Sequence, residues 1–241
     1  MSSRGHDRPG VIPVVALLGC SAAHAADSVG GAVDVTSDYV VRGESRSNHE
    51  PAVQASLQFV AAGGLLAGVS GSSVRPDPRG NRGAEFTAFS GYAWQPAQNW
   101  RARMVASYYR DVLAGSGRGY DYGEFDVGVS FSDWLDLSAG YSPDYPRYVT
   151  YQGLRGFAQE SAEAVLHTPW RHHLSASAGA GHAHSGGPAG GGYAYWSLGA
   201  TLDLAPGSLA VNYLSAGAGA AALVNGPVAH NEWIATLTWR F

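Results

Sequence analysis

The chain has 241 residues; 45% are hydrophobic, 33 are glycine, only 14% are charged, and the formal net charge is −4. All fifteen basic residues are arginine, and they form no cluster of the kind that binds nucleic acid, which excludes that partner. The length suits one domain, and no stretch reaches the ~18 apolar residues of a membrane helix.

Residues 1–10 are polar and carry Arg4 and Arg8. A short apolar run, 11–19, follows, and Ala23-His24-Ala25 fits an A-x-A cleavage site. This is the layout of a secretory signal peptide, so residues 1–26 are expected to be removed and 27–241 to form the mature chain. A competing lipobox reading of Leu17-Leu18-Gly19-Cys20 would make Cys20 a lipid anchor. With cleavage after the A-x-A site, the exported protein has no cysteine and no disulfide. Losing two arginines and one aspartate moves the net charge from −4 to −5.

From there, segments of about ten residues alternate between apolar and polar or small side chains, the period of β-strands. Twelve are predicted, over 31–42, 52–61, 65–74, 84–94, 99–110, 121–131, 134–142, 157–167, 170–181, 193–204, 208–215 and 230–241. The connections alternate as well. Those at 62–64, 95–98, 132–133, 168–169 and 205–207 are short. Those at 43–51, 75–83, 111–120, 143–156, 182–192 and 216–229 are long. Even strand number with strict alternation predicts a closed antiparallel transmembrane β-barrel, with short turns on one side of the membrane and long loops on the other.

Parity assigns the faces. Phe125, Val127, Val129 and Phe131 alternate with Glu124, Asp126 and Gly128; Trp100, Ala102, Met104 and Ala106 alternate with Arg101, Arg103 and Ser107. An arginine facing lipid at midplane costs roughly 2–4 kcal/mol, so the charged set is expected inside. Asp34, Asp38, Arg42, Glu85, Arg101, Arg103, Glu124 and Asp126 are the principal pore-lining candidates, with Asp136, Arg171, Asp203, Glu232 and Arg240 behind them. They either form a charged constriction that selects solutes or brace a narrow barrel as a paired network. Glu160 and Glu163 have opposite parity, which requires a bulge or a position outside the hydrocarbon. Trp94, Trp100, Trp134, Trp170 and Trp239 lie beside short turns or at the chain end and are expected to form one aromatic girdle. Tyr39, Tyr108, Tyr109, Tyr120, Tyr122, Tyr141 and Tyr193 lie beside long loops and are expected to form the other.

Val35-Thr36-Ser37-Asp38-Tyr39-Val40-Val41-Arg42-Gly43-Glu44-Ser45-Arg46-Ser47, followed by 51–57, resembles the opening of the TorF-type porins, a Gram-negative family also described as conserved proteins of unknown function. Residues 85–92 and 140–145 look similar to later segments of that family, whereas the Gly/Ala-rich stretches 179–192 and 216–222 depart from it. The resemblance implies an outer-membrane barrel and carries no binding residues.

The chain ends Trp233-Ile234-Ala235-Thr236-Leu237-Thr238-Trp239-Arg240-Phe241, apolar at every second position. This is similar to the closing strand of outer-membrane barrels, whose terminal aromatic is read by the barrel-assembly machinery, so Phe241 is the expected assembly signal. The expected partners are outer-membrane lipids, that machinery, and small solutes or ions.

No cofactor or metal is predicted: His172 and His173 point to opposite sides, His182 and His184 fall in a predicted loop, and loop histidines are usually solvated. His173 and Ser175 share a face, but no nucleophile signature accompanies them, so an enzyme is not expected. The sequence therefore predicts a porin-like outer-membrane protein passing small hydrophilic solutes or ions. A non-conducting structural or adhesive barrel is the alternative, and an outer-membrane lipid-modifying enzyme is a more distant one.

Overall fold

Alternation with period two is realised as a sheet that closes on itself. The computed structural model describes residues 27–75, 81–114, 120–149, 153–171, 173–187, 190–224 and 227–241; the signal-peptide and Cys20 expectations lie outside them. The strands are β1 (Ser28–Thr36), β2 (Val40–Val41), β3 (Glu44–Ser45), β4 (Ala52–Val60), β5 (Leu65–Val74), β6 (Gly83–Ala97), β7 (Trp100–Leu113), β8 (Asp121–Phe131), β9 (Leu135–Val149), β10 (Gly153–Arg171), β11 (Leu174–Ser185), β12 (Gly191–Leu204), β13 (Gly207–Ala216) and β14 (Glu232–Arg240). All except β2 and β3 form one closed barrel, each pairing with its neighbours in chain order. That makes twelve antiparallel strands, as the alternation predicted.

The seam is antiparallel pairing of the first and last strands, from Ala32↔Arg240 to Thr36↔Thr236. Closure removes the free edge that an open sheet would present. Beyond β14 the pairing continues in the backbone: Gly31 N–H donates to the Phe241 carbonyl (2.9 Å) and Phe241 N–H donates to the Gly31 carbonyl (3.1 Å). The Phe241 ring covers Gly31 so closely that a Cβ there would lie 2.6 Å from it, so only glycine leaves the ring its place.

Within the barrel wall the side chains alternate between the two faces. Val33, Val35, Phe125, Val127, Val129, Leu137 and Leu198 are exposed on the outside, while Asp34, Glu85, Glu124 and Ser107 are buried on the inside. The Glu160/Glu163 conflict resolves without a bulge between them: the β9–β10 register shifts before both, between Phe157 and Gln159, and runs unbroken from Glu160 to Glu163, so the two side chains take opposite faces. Glu163 lies inside, accepting a hydrogen bond from the Tyr195 hydroxyl (3.0 Å), and Glu160 is exposed.

Four expectations are corrected. The predicted strand 31–42 stops at Thr36, and the chain then leaves the wall. The predicted loop 143–156 is mostly strand, because β9 and β10 extend well past the other strands at the long-loop end. His182 and His184 belong to β11, not to a loop, and are exposed. Finally, β10 runs on to Arg171 with a register shift after Pro169, so Thr168-Pro169 belongs to the strand and not to a turn, and β11 starts at Leu174.

Candidate functional site

Past Thr36 the chain turns into the barrel. Val40-Val41 and Glu44-Ser45 pair as a hairpin whose two-residue turn is Arg42-Gly43. Both turn residues have positive φ, 51° and 81°, as a type I′ turn requires. Gly43 meets that demand freely, and its missing Cβ also admits Ala216, which a Cβ would approach to 2.6 Å. Arg42 adopts the left-handed conformation despite its side chain, and that conformation sets it at the hairpin tip.

From the tip, Arg42 reaches the opposite wall. Its guanidinium donates to both carboxylate oxygens of Glu124 on β8 (2.9 and 2.6 Å) and to Gln159 on β10 (3.3 Å). Asp126 lies 3.8 Å away. Directly after the hairpin, Arg46 donates to Glu85 on β6 (2.7 Å) and Asp111 on β7 (3.1 Å). Its side chain is 2% exposed, and those of Glu85 and Asp111 are 3% and 5% exposed. Burial opposes the charge of both arginines, but the facing carboxylates outweigh it and hold both guanidiniums protonated beyond the ordinary arginine range. Buried ion pairs add little net stability over apolar packing, yet breaking one is costly, so they fix where the hairpin sits.

Aromatic side chains fill the space around it. Tyr109 and Tyr122 stack at 4.5 Å with 4° between their planes, and Tyr145 meets Tyr122 edge-on at 5.2 Å. The Tyr39 hydroxyl donates to Glu85 (3.1 Å) and the Tyr145 hydroxyl to Glu44 (3.1 Å). The last long loop covers the hairpin from above. Ser45 N–H donates to the Pro227 carbonyl (2.8 Å) and Ala229 N–H to the Gly43 carbonyl (2.9 Å). A 3-10 turn in this loop, Ala218–Ala222, packs with Tyr193, Tyr195 and Leu223. Arg75 pairs with Glu50 where the second long loop begins.

Asp38, just before the hairpin, is held by three groups. The hydroxyls of Ser45 and Ser47 donate to its Oδ1 (2.6 Å each), and His49 Nδ1 lies 3.1 Å from its Oδ2. The same Nδ1 lies 2.9 Å from Glu232 Oε1 on β14.

Towards the short-turn end the inner wall is less covered. Asp34 accepts a hydrogen bond from Thr238 (2.5 Å), and Arg240 donates to Ser208 (3.1 Å). Arg101 ties to the β8–β9 turn through the Ser132 carbonyl (3.0 Å) and Asp133 (3.1 Å). Arg103 lies along Gly128, and Asp203 is half-buried. Asp136 accepts from Ser130 (2.5 Å) and lies 2.9 Å from His167 Nε2. The side chains of Trp170 and Arg171, and the whole of His172, lie outside the described residues.

Of the eight principal lumen candidates, Asp34, Glu85, Arg101, Arg103, Glu124 and Asp126 stand on barrel strands, whereas Asp38 and Arg42 belong to the segment that leaves the wall after Thr36, Asp38 just before the hairpin and Arg42 in its turn. Strand parity placed them on a strand because Asp38 and Arg42 keep the even positions of Asp34 and Thr36 past the point where the chain leaves the wall. Arg46, Glu44, Asp111, Glu163 and the inner tyrosines were missed. Gly43 between Val-Val-Arg and Glu-Ser was the one local signal for a tight turn.

The girdles divide. Trp94, Trp100, Trp134 and Trp239 are exposed on the outside at the short-turn end, with Trp100 and Trp134 both packed on Phe131 (4.7 and 5.4 Å). The tyrosine girdle is corrected: Tyr39, Tyr109, Tyr122 and Tyr193 are buried inside. Only Tyr108 and Tyr141 of that set are exposed outside, where Trp196, Tyr213 and Trp233 make an aromatic row of their own. Tyr39 is inside with its hydroxyl donating to Glu85, and Tyr109 and Tyr122 are inside stacked on each other, contacts that position beside a loop does not reveal.

The sequence profile described as "Bacterial protein of unknown function (Gcw_chp)" matches residues 21–241. It does not carry the TorF-type name. A comparison with curated proteins found no match. Among solved structures, the KdgM porin in complex with disordered oligogalacturonate is similar with a TM-score of 0.51 at 6% identity, over 88% of this chain and 97% of that one. The NanC porin is similar with a TM-score of 0.50 at 9% identity, over 88% and 98%. At such identities the likeness is one of fold: the twelve-stranded barrel is the architecture of outer-membrane porins.

Proposed function

Because the chain belongs to the Gcw_chp family of bacterial proteins of unknown function, we propose its function from the barrel and its inner face: a porin-like, non-enzymatic channel of the cell outer membrane for small hydrophilic solutes or ions, constricted by the inserted hairpin. The observation that carries this reading is a barrel apolar outside and charged inside, with the charge concentrated where the hairpin narrows the lumen. Arg42 and Arg46 each face two carboxylates, so the constriction is acidic on balance. A cation preference follows, and with it a mismatch to polyanions such as the oligogalacturonate bound to KdgM. Purified protein in a planar bilayer under a KCl gradient should give a reversal potential on the cation-selective side. An anion-selective reversal potential refutes the acidic constriction.

The near-complete burial of Arg46 favours a second reading, a non-conducting structural barrel whose hairpin never leaves. Conductance separates the two: a sealed barrel gives no channel events in that bilayer.

Outer-membrane lipids are the proposed partner of the apolar exterior. Val127 is exposed mid-strand on β8. Val127→Arg should destabilise the inserted barrel by roughly 2–4 kcal/mol, the cost of arginine at the midplane. Unfolding titrations in lipid vesicles measure it, and an unchanged midpoint would mean that this face does not meet hydrocarbon.

A further inference from the structure

We propose that Asp38, His49 and Glu232 form a binding site for a divalent first-row transition ion, which fastens the inserted segment to the barrel wall. Their donor atoms come from three separate parts of the chain, the segment entering the lumen, the segment leaving it, and the start of β14, and all lie within 4.8 Å of one another. His49 Nδ1 stands 3.1 Å from Asp38 Oδ2 and 2.9 Å from Glu232 Oε1. Ligand atoms around a tetrahedral zinc stand about 3.4 Å apart, given bond lengths of about 2.1 Å, so the trio needs only a small expansion to admit an ion.

Three observations favour an ion over hydrogen bonding alone. First, Nδ1 carries at most one proton, and two carboxylates compete for it. Second, the Asp38 side chain is 2% exposed, and among the described residues its only ion-pair partner is His49; Arg42 and Arg46 are engaged elsewhere. Third, Glu232 Oε2 is buried with no hydrogen-bond partner. A cation between the carboxylates neutralises both and takes up that oxygen.

The surroundings are also built for ligation. Ser45 and Ser47 both donate to Asp38 Oδ1, which leaves Oδ2 turned towards His49. Such outer contacts orient metal-binding carboxylates. His49 is 40% exposed, which gives an ion a route in. One imidazole and two carboxylates suit zinc or manganese better than calcium or magnesium, which want six or more oxygens or several retained waters.

The test is isothermal titration of the detergent-purified, EDTA-stripped protein with ZnCl2. Wild type should bind one zinc ion saturably, and zinc should raise its thermal midpoint. His49→Ala and Glu232→Gln should each weaken binding roughly tenfold or more and abolish the thermal gain, while the control His182→Ala/His184→Ala retains both. Gel mobility before and after boiling verifies folding of each variant, and if Glu232→Gln fails to assemble, the half-exposed His49→Ala decides alone. No binding by wild type, or binding that survives His49→Ala or is lost only in the control, overturns the site.

Discussion

Arg46→Ala should cost the barrel about 3–5 kcal/mol, the penalty for removing one partner of a buried ion pair. The reason is what stays behind. Glu85 and Asp111 are almost fully buried, and Arg46 is the arginine that pairs with both. Without it, two carboxylates stand side by side as register partners on β6 and β7, and the Arg46 carbonyl, which accepts from Arg75 N–H (2.7 Å), loses its anchored side chain. The hairpin segment then has one arginine latch, Arg42, instead of two. The expected result is a lower unfolding midpoint together with larger single-channel conductance than wild type. Arg46→Met combined with Glu85→Gln and Asp111→Asn should recover most of the stability, because replacing a whole buried ionic cluster with neutral groups is nearly free. Should Arg46→Ala leave both midpoint and conductance unchanged, the arginine is no latch. Stability lost without any conductance would favour the sealed barrel.

Deleting Phe241 should cut the amount of assembled barrel severalfold while leaving the conductance of each assembled channel near wild type. Two reasons converge. The deletion removes the reciprocal backbone hydrogen bonds with Gly31 at the seam, each worth about 0.5–1.5 kcal/mol. It also removes an exposed terminal aromatic, the proposed signal for the assembly machinery, from the short-turn rim beside Trp239. Phe241→Tyr keeps both features and should assemble normally. Immunoblots of outer-membrane fractions give the yield, and normal levels of the truncated protein would refute the signal role. The effect on conduction is small because Phe241 points outward and its neighbours on the inner face, Arg240 and Ser208, keep their contact.

The barrel was legible because its determinants are local. Alternation at Phe125–Phe131 or Trp233–Phe241 needs only neighbouring residues to specify a strand and its two faces, and the desolvation cost of charge in lipid then decides which face is which. The closing strand was readable for the same reason, and the seam with β1 follows once twelve strands must close.

What occupies the inside was not legible. Asp38, Tyr39, Val41 and Arg42 keep the parity of β1, so period alone carries the strand six residues too far; the hairpin bends inward because Arg42 and Arg46 find carboxylates on β6, β7 and β8, up to 82 positions away. The tyrosines beside the loops look like girdle residues until their inner partners are in place, Glu85 for Tyr39 and the stacked rings of Tyr109 and Tyr122 for each other. His49 and Glu232 meet across 183 positions. Local pattern determines a wall, because every strand residue answers to lipid or lumen by parity. Only the closed barrel decides what fills the lumen, because charges seek partners through space and not along the chain.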